Sequence, residues 1–193
     1  MRSYQVFAAM TPERAVAMLR ALSKKAPAMF RQAVDAAAIA MRARPVYLRN
    51  QPFEKRAEAV RRTFARVSTN AVADELLAVY FLECRKELLV EWLDLLGVKH
   101  KDGTLEADAP PPPPEKKLRE AVSQFRGAAD DPDRDLLVRA FAAQDAVEWP
   151  VLDALLTGAG PPVEKPAEKP AARVEKPAAA KPKTAPRKAR KPR

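Results

Sequence analysis

Proline decides where this chain can be helical. Nineteen prolines stand among 193 residues that include only five glycines, and they fall into three groups. Single prolines occur at Pro12, Pro27, Pro45, Pro52, Pro132 and Pro150, five more are consecutive at residues 110–114, and eight lie in residues 158–193. Proline fixes φ and lacks an N–H, so a helix accepts it in the first turn and rejects it in the interior. The isolated prolines therefore mark helix boundaries, and the clusters mark segments that are not helical.

Thr11 is an N-cap with Pro12 at the first helical position and Glu13 in the first turn. Ala15, Met18, Leu19 and Leu22 then share one face. A second helix begins near Pro27, carries Phe30, Val34, Ala37, Ala38 and Met41, and must end before Arg44 and Pro45, because the residue preceding proline is pushed out of the helical region. Val46, Tyr47 and Leu48 read as a short apolar connector. A third helix opens at Pro52 with a narrow stripe of Phe53, Ala57, Val60, Phe64 and Val67.

Ser68, Thr69 and Asn70 offer caps for one long helix over about residues 71–96, roughly 39 Å at 1.5 Å per residue. Asp74 and Glu75 suit its positive end, its first half is apolar nearly all round, and Gly97 followed by Val98 stops it. Asp102 and Gly103 make a turn. The five prolines form a polyproline spacer and a subdomain boundary. Three short helices follow, bearing Leu118, Val122 and Phe125, then Leu136, Leu137, Ala140 and Phe141 after Asp131 and Pro132, then Val151, Leu152, Leu155 and Leu156 after Trp149 and Pro150.

The fold class expected is all-α: an orthogonal bundle of six or seven helices around the long central one. It divides into basic helices plus the long helix at residues 1–108, a spacer at 109–115, a small acidic module at 116–157 packed on the first part, and a disordered tail at 158–193.

Charge follows the same division. Residues 1–70 hold fourteen Lys or Arg and four acids, net +10, whereas residues 71–157 hold ten and eighteen, net −8. Residues 158–193 hold eleven and three, net +8, with no aromatic residue. Such a tail cannot bury enough apolar surface to offset the entropy of ordering. Its last eighteen residues carry eight cations and no acid: Lys176, Lys181, Lys183, Arg187, Lys188, Arg190, Lys191 and Arg193. These are the candidate phosphate contacts, to nucleic acid or another polyanion, without base stacking or sequence reading.

The tail is internally repetitive. Val163, Glu164, Lys165, Pro166 and Ala167 return as Val174, Glu175, Lys176, Pro177 and Ala178, and acids then vanish. Over about thirty residues it resembles the Lys/Ala/Pro-rich C-terminal tails of linker histones and of bacterial histone-H1-like proteins. That resemblance implies sequence-independent contact with nucleic-acid phosphates. It does not extend to the helical part, where no winged-helix pattern is seen.

Other candidates have plainer readings. Glu83, Glu87, Glu91 and Asp94 line one face of the expected long helix, but a carboxylate metal site needs histidine partners and the chain has only His100. They read as a solvated or arginine-paired face, with the third helix as a facing partner. That helix supplies a secondary basic face of Lys55, Arg56, Arg61, Arg62 and Arg66. Arg42, Arg44 and Arg49 flank the apolar connector, and a solvated face balancing the acidic half is preferred there over a nucleic-acid groove. Cys84 is a buried inert thiol, His100 a loop residue, and Trp92 and Trp149 core residues.

No catalytic constellation, metal site or cofactor motif is expected. One cysteine excludes an intrachain disulfide, and the longest apolar run is seven residues against the roughly 20 of a membrane span. The chain reads as a non-enzymatic cytoplasmic protein, nucleoid-associated if its tail binds DNA, with no membrane partner. The alternative is a helical protein–protein interaction module whose tail is regulatory, masked by the acidic module, or merely solubilising.

Overall fold

The computed structural model describes residues 1–145 and 147–158. These form ten α-helices and one two-stranded hairpin: α1 Ser3–Ala9, α2 Pro12–Lys25, α3 Pro27–Ala40, α4 Pro45–Arg49, α5 Phe53–Phe64, α6 Asn70–Cys84, α7 Lys86–Leu96, β1 His100–Lys101, β2 Thr104–Leu105, α8 Glu115–Gly127, α9 Pro132–Ala143 and α10 Pro150–Thr157. The all-α class stands. No helix among the described residues is long and apolar enough to cross a membrane.

Proline sets the starts as its chemistry requires. Pro12, Pro27, Pro45, Pro132 and Pro150 each occupy the first turn of a helix. The Thr11 hydroxyl accepts from the Arg14 N–H at 3.3 Å, and the Asp131 carboxylate accepts from the Asp133 N–H at 2.9 Å. Gly97 closes α7 with a left-handed φ of 72°, its N–H donating to Asp94 O and the Val98 N–H to Leu93 O, both at 3.0 Å.

The long helix expected over residues 71–96 is two helices. At Arg85 the backbone leaves the helical region, with φ −137° and ψ 35°. Neither proline nor glycine is present there, so the cause is tertiary. The two halves share α9 but otherwise bury against different neighbours, α6 against α1, α2 and α3, and α7 against α8. A straight helix could not lay both apolar faces on those partners. The Arg85 guanidinium is also drawn to Asp131 and Asp133 at the start of α9.

The helix count also exceeds the six or seven expected, for local reasons. The residues 46–48 connector is helical, because Arg44 is extended (φ −72°, ψ 130°) and Pro45 begins a single turn. Ser3–Ala9 is a further short helix that buries Val6 and Phe7. Val67, assigned to the apolar stripe of the third helix, lies beyond its end and is exposed.

One continuous core runs from Val6 and Phe7 through Leu76 and Leu77 to Trp92, Phe125 and Leu152. The proline run is tethered to it: Pro110 is buried, and its carbonyl accepts a hydrogen bond from Trp149 Nε1 at 3.0 Å. The described residues all belong to one compact unit.

Candidate functional site

The eight tail cations, Lys176, Lys181, Lys183, Arg187, Lys188, Arg190, Lys191 and Arg193, lie outside the described residues. The five basic residues of α5 have dissimilar surroundings. Arg61 makes a bidentate contact with Glu58 at 2.9 and 3.0 Å, and Arg62 reaches the same carboxylate at 2.5 Å. Arg56 is half-buried over the rings of Phe30 and Phe53, at 5.4 and 5.8 Å. Lys55 and Arg66 are exposed. Much of the charge on this helix is therefore committed within the fold, with Glu58 held at a pKa of about 2 chiefly by its hydrogen bonds to Arg61.

Of the carboxylates at residues 83, 87, 91 and 94, the last three share a face of α7 and Glu83 stands on another helix. The break at Arg85 separates Glu83 from the others. Glu91 takes a bidentate bond from Arg134 of α9, both contacts at 2.8 Å, so its partner is not on α5. Asp94 Oδ1 lies 3.1 Å from His100 Nε2, whose other nitrogen accepts from the Gly103 N–H at 3.3 Å. That pair of contacts suits the neutral ring with its proton on Nε2. No group of three or more His, Cys, Asp or Glu among the described residues could hold a metal ion. Cys84 is half-buried, and burial first, then the Glu83 charge, push its thiol up and disfavour thiolate. Trp92 and Trp149 are core residues as expected.

Two features escaped the sequence. The first is a charged hub at the start of α9. Asp133 is 4% exposed, accepts from the Tyr80 hydroxyl at 2.9 and 3.0 Å, and forms ion pairs with Arg85, whose Nε lies 2.8 Å away, and with Arg14. Burial pushes the Tyr80 hydroxyl up, so it remains the donor. The hub joins α2, α6 and α9 around one buried carboxylate that faces two guanidinium groups and a phenol. Its only local signal was Asp131-Pro132-Asp133 as a helix start, since residues at positions 14, 80 and 85 are brought together by tertiary structure alone.

The second is an apolar cavity of about 310 Å³ where α6 breaks from α7. Leu77, Phe81, Leu82, Leu89, Leu93, Leu137 and Phe141 contribute its walls, and the hairpin residues Gly103 to Leu105 cover one side. A Cβ at Gly103, which has φ +91°, would lie 3.0 Å from Leu89 Cδ2, so glycine lets the hairpin close on that wall. Asp108 is the one ionisable side chain in the lining. The cavity has room for a small apolar molecule but no acid–base pair to transform one.

Comparison with known proteins finds no family model, no curated protein and no solved structure that matches this chain.

Proposed function

We propose that this is a non-enzymatic helical protein held to nucleic acid by sequence-independent phosphate contacts of its basic tail. The observation that carries the reading is the run of eight cations without an acid in residues 176–193. Lysine and arginine in such a run neutralise phosphates and release condensed counterions, and its prolines oppose collapse. The resemblance to linker-histone and histone-H1-like tails supports the same chemistry.

The folded part bears on whether the tail is free to act. With a net charge of −8, residues 71–157 are the obvious intramolecular competitor. Part of that charge is opposed from outside the segment, since Asp133 pairs with Arg14 and Asp145 with Arg2. Charges neutralised in this way lower the net pull on a distant cation below the formal count.

Fluorescence anisotropy with a labelled oligonucleotide tests the reading, comparing the full chain with one ending at Thr157. The full chain is expected to bind with log K falling against log salt at a slope no steeper than about −7, from eight neutralised phosphates on duplex DNA. Equal affinity of the two chains at low salt would refute it. A protein partner recovered intact after nuclease treatment, with no nucleic acid bound, would favour the interaction-module reading.

A further inference from the structure

The corner between α3 and α4 combines apolar exposure with uncommitted positive charge. Ile39, Val46 and Tyr47 are 66%, 63% and 64% exposed, and Met41 is 40% exposed. Tight local bonds hold them together, with the Ala43 N–H donating to Ala38 O at 2.8 Å and the Tyr47 N–H to Arg44 O at 3.0 Å. Leu48 alone of the connector residues turns into the core. Between Asp35 and Glu54 the sequence has three arginines and no acid. Arg49 is taken by Asp35 through a bidentate contact, which leaves Arg42 and Arg44 exposed and, among the described residues, without an ion pair.

Arg42 has a left-handed φ of 56°. It occupies the position at the end of α3 that Gly97 occupies after α7, and the bond from Ala43 to Ala38 matches that from Val98 to Leu93. This helix-ending motif favours glycine, because a Cβ is strained in the left-handed region. The fold thus tolerates strain to place an arginine beside four exposed apolar side chains, a combination that stability does not reward.

We infer that this corner is a second nucleic-acid contact, one that binds single strands, with Tyr47 stacking on a base and Arg42 and Arg44 meeting the flanking phosphates. The inference rests on the proposed nucleic-acid role of the tail. Charge selects a polyanion, since residues 1–70 carry +10. The exposed ring and aliphatic groups select an unpaired strand, because a duplex offers phosphates but hides its base faces. Stacking on an exposed aromatic ring is indifferent to base identity, so the contact adds affinity without reading sequence. The corner is also a better candidate than the outer surface of α5, where Glu58 and the Phe30 and Phe53 rings already engage Arg56, Arg61 and Arg62.

The test uses full-length protein and two labelled probes, a mixed-sequence single-stranded DNA and its duplex, read by anisotropy. Tyr47→Ala is expected to weaken single-strand binding about tenfold and leave duplex binding unchanged, with Tyr47→Phe retaining the wild-type preference. Arg42→Gly is expected to raise the melting temperature while lowering single-strand affinity, a pairing that a merely structural residue would not produce. Unchanged single-strand affinity in Tyr47→Ala, or an equal loss on both probes, would overturn the inference and leave the corner to a protein partner. A full-length variant with the eight cations of residues 176–193 changed to glutamine separates the two ideas. Its loss of binding beside an unaffected Tyr47→Ala sinks the corner and keeps the tail. Its full affinity beside a weakened Tyr47→Ala does the reverse.

Discussion

Two carboxylates respond to burial and charge in opposite senses. Glu58 is held at about pKa 2 by hydrogen bonds to Arg61 and then Arg62, with their charges adding to the effect. A depressed carboxyl contributes stability above its unfolded pKa, and the contribution is lost as pH falls through the folded value. Glu58→Gln should therefore reduce stability at pH 7 by about 0.5 kcal/mol, the modest size expected of partly exposed pairs one helical turn apart. The difference from wild type should close as pH falls from about 4.5 towards about 2, measured by urea denaturation at each pH. Asp74 shows the reverse. Burial is the main cause raising its pKa, and Asp145 adds to it, against the hydrogen bond from Ser3 and the charge of Arg2. Its charged form is disfavoured by folding, so it subtracts stability above its folded pKa, and the penalty disappears as pH drops below the ordinary aspartate value. Asp74→Asn keeps a carbonyl oxygen for Asn70 Nδ2, which now donates at 2.8 Å, and removes the half-buried charge. Its melting temperature should exceed that of wild type at pH 7 and converge with it near pH 3.

Sequence and structure agree at the elements where the chain carries its own instruction. Thr11 with Pro12, Asp131 with Pro132, and Gly97 are local devices, so the helix limits they set were legible without knowing any neighbour. The break at Arg85 was not, because it depends on which surfaces residues 70–84 and 86–96 must cover. The α3–α4 corner was half legible. Its arginines are plain in the sequence, but only the fold reveals that Leu48 is buried while Val46 and Tyr47 face outward. The Asp133 hub shows what such non-local contacts are worth. Asp133→Ala would leave the Tyr80 hydroxyl without its acceptor and the guanidinium groups of Arg14 and Arg85 without their shared anionic partner. A loss of about 3 kcal/mol is expected, near the lower end for breaking a buried ion pair because Arg85 is about one-third exposed. The readout is a lowered urea midpoint with an unchanged denaturant slope.

Across the whole molecule, the proline run raises the question of cooperativity. Five consecutive prolines would ordinarily insulate what lies on either side, allowing residues 1–108 and 116–157 to unfold separately. The core argues for coupling. Helix α9 packs on α1 and α6 as well as on α7 and α8, and Asp133 fastens it to Arg14 and Tyr80 from earlier in the chain. The proline run itself is pinned by Trp149. Two spectroscopic probes report on different parts of this arrangement. Both tryptophans lie in one aromatic cluster that straddles the proline run, Trp92 of α7 at 5.1 Å from Phe125 and Trp149 at 5.4 Å from Phe141, so fluorescence follows the packing of residues 116–157 on α7. Far-UV circular dichroism is weighted towards the helices before it, α1 to α6. If the ion pairs and the shared core couple the two, both signals will give the same urea midpoint and slope in the full chain, as a two-state transition demands. In Asp133→Ala the fastening is gone, and fluorescence should then change at lower urea than circular dichroism. Separate transitions already in the wild-type protein would mean that the proline run insulates the two parts despite Asp133.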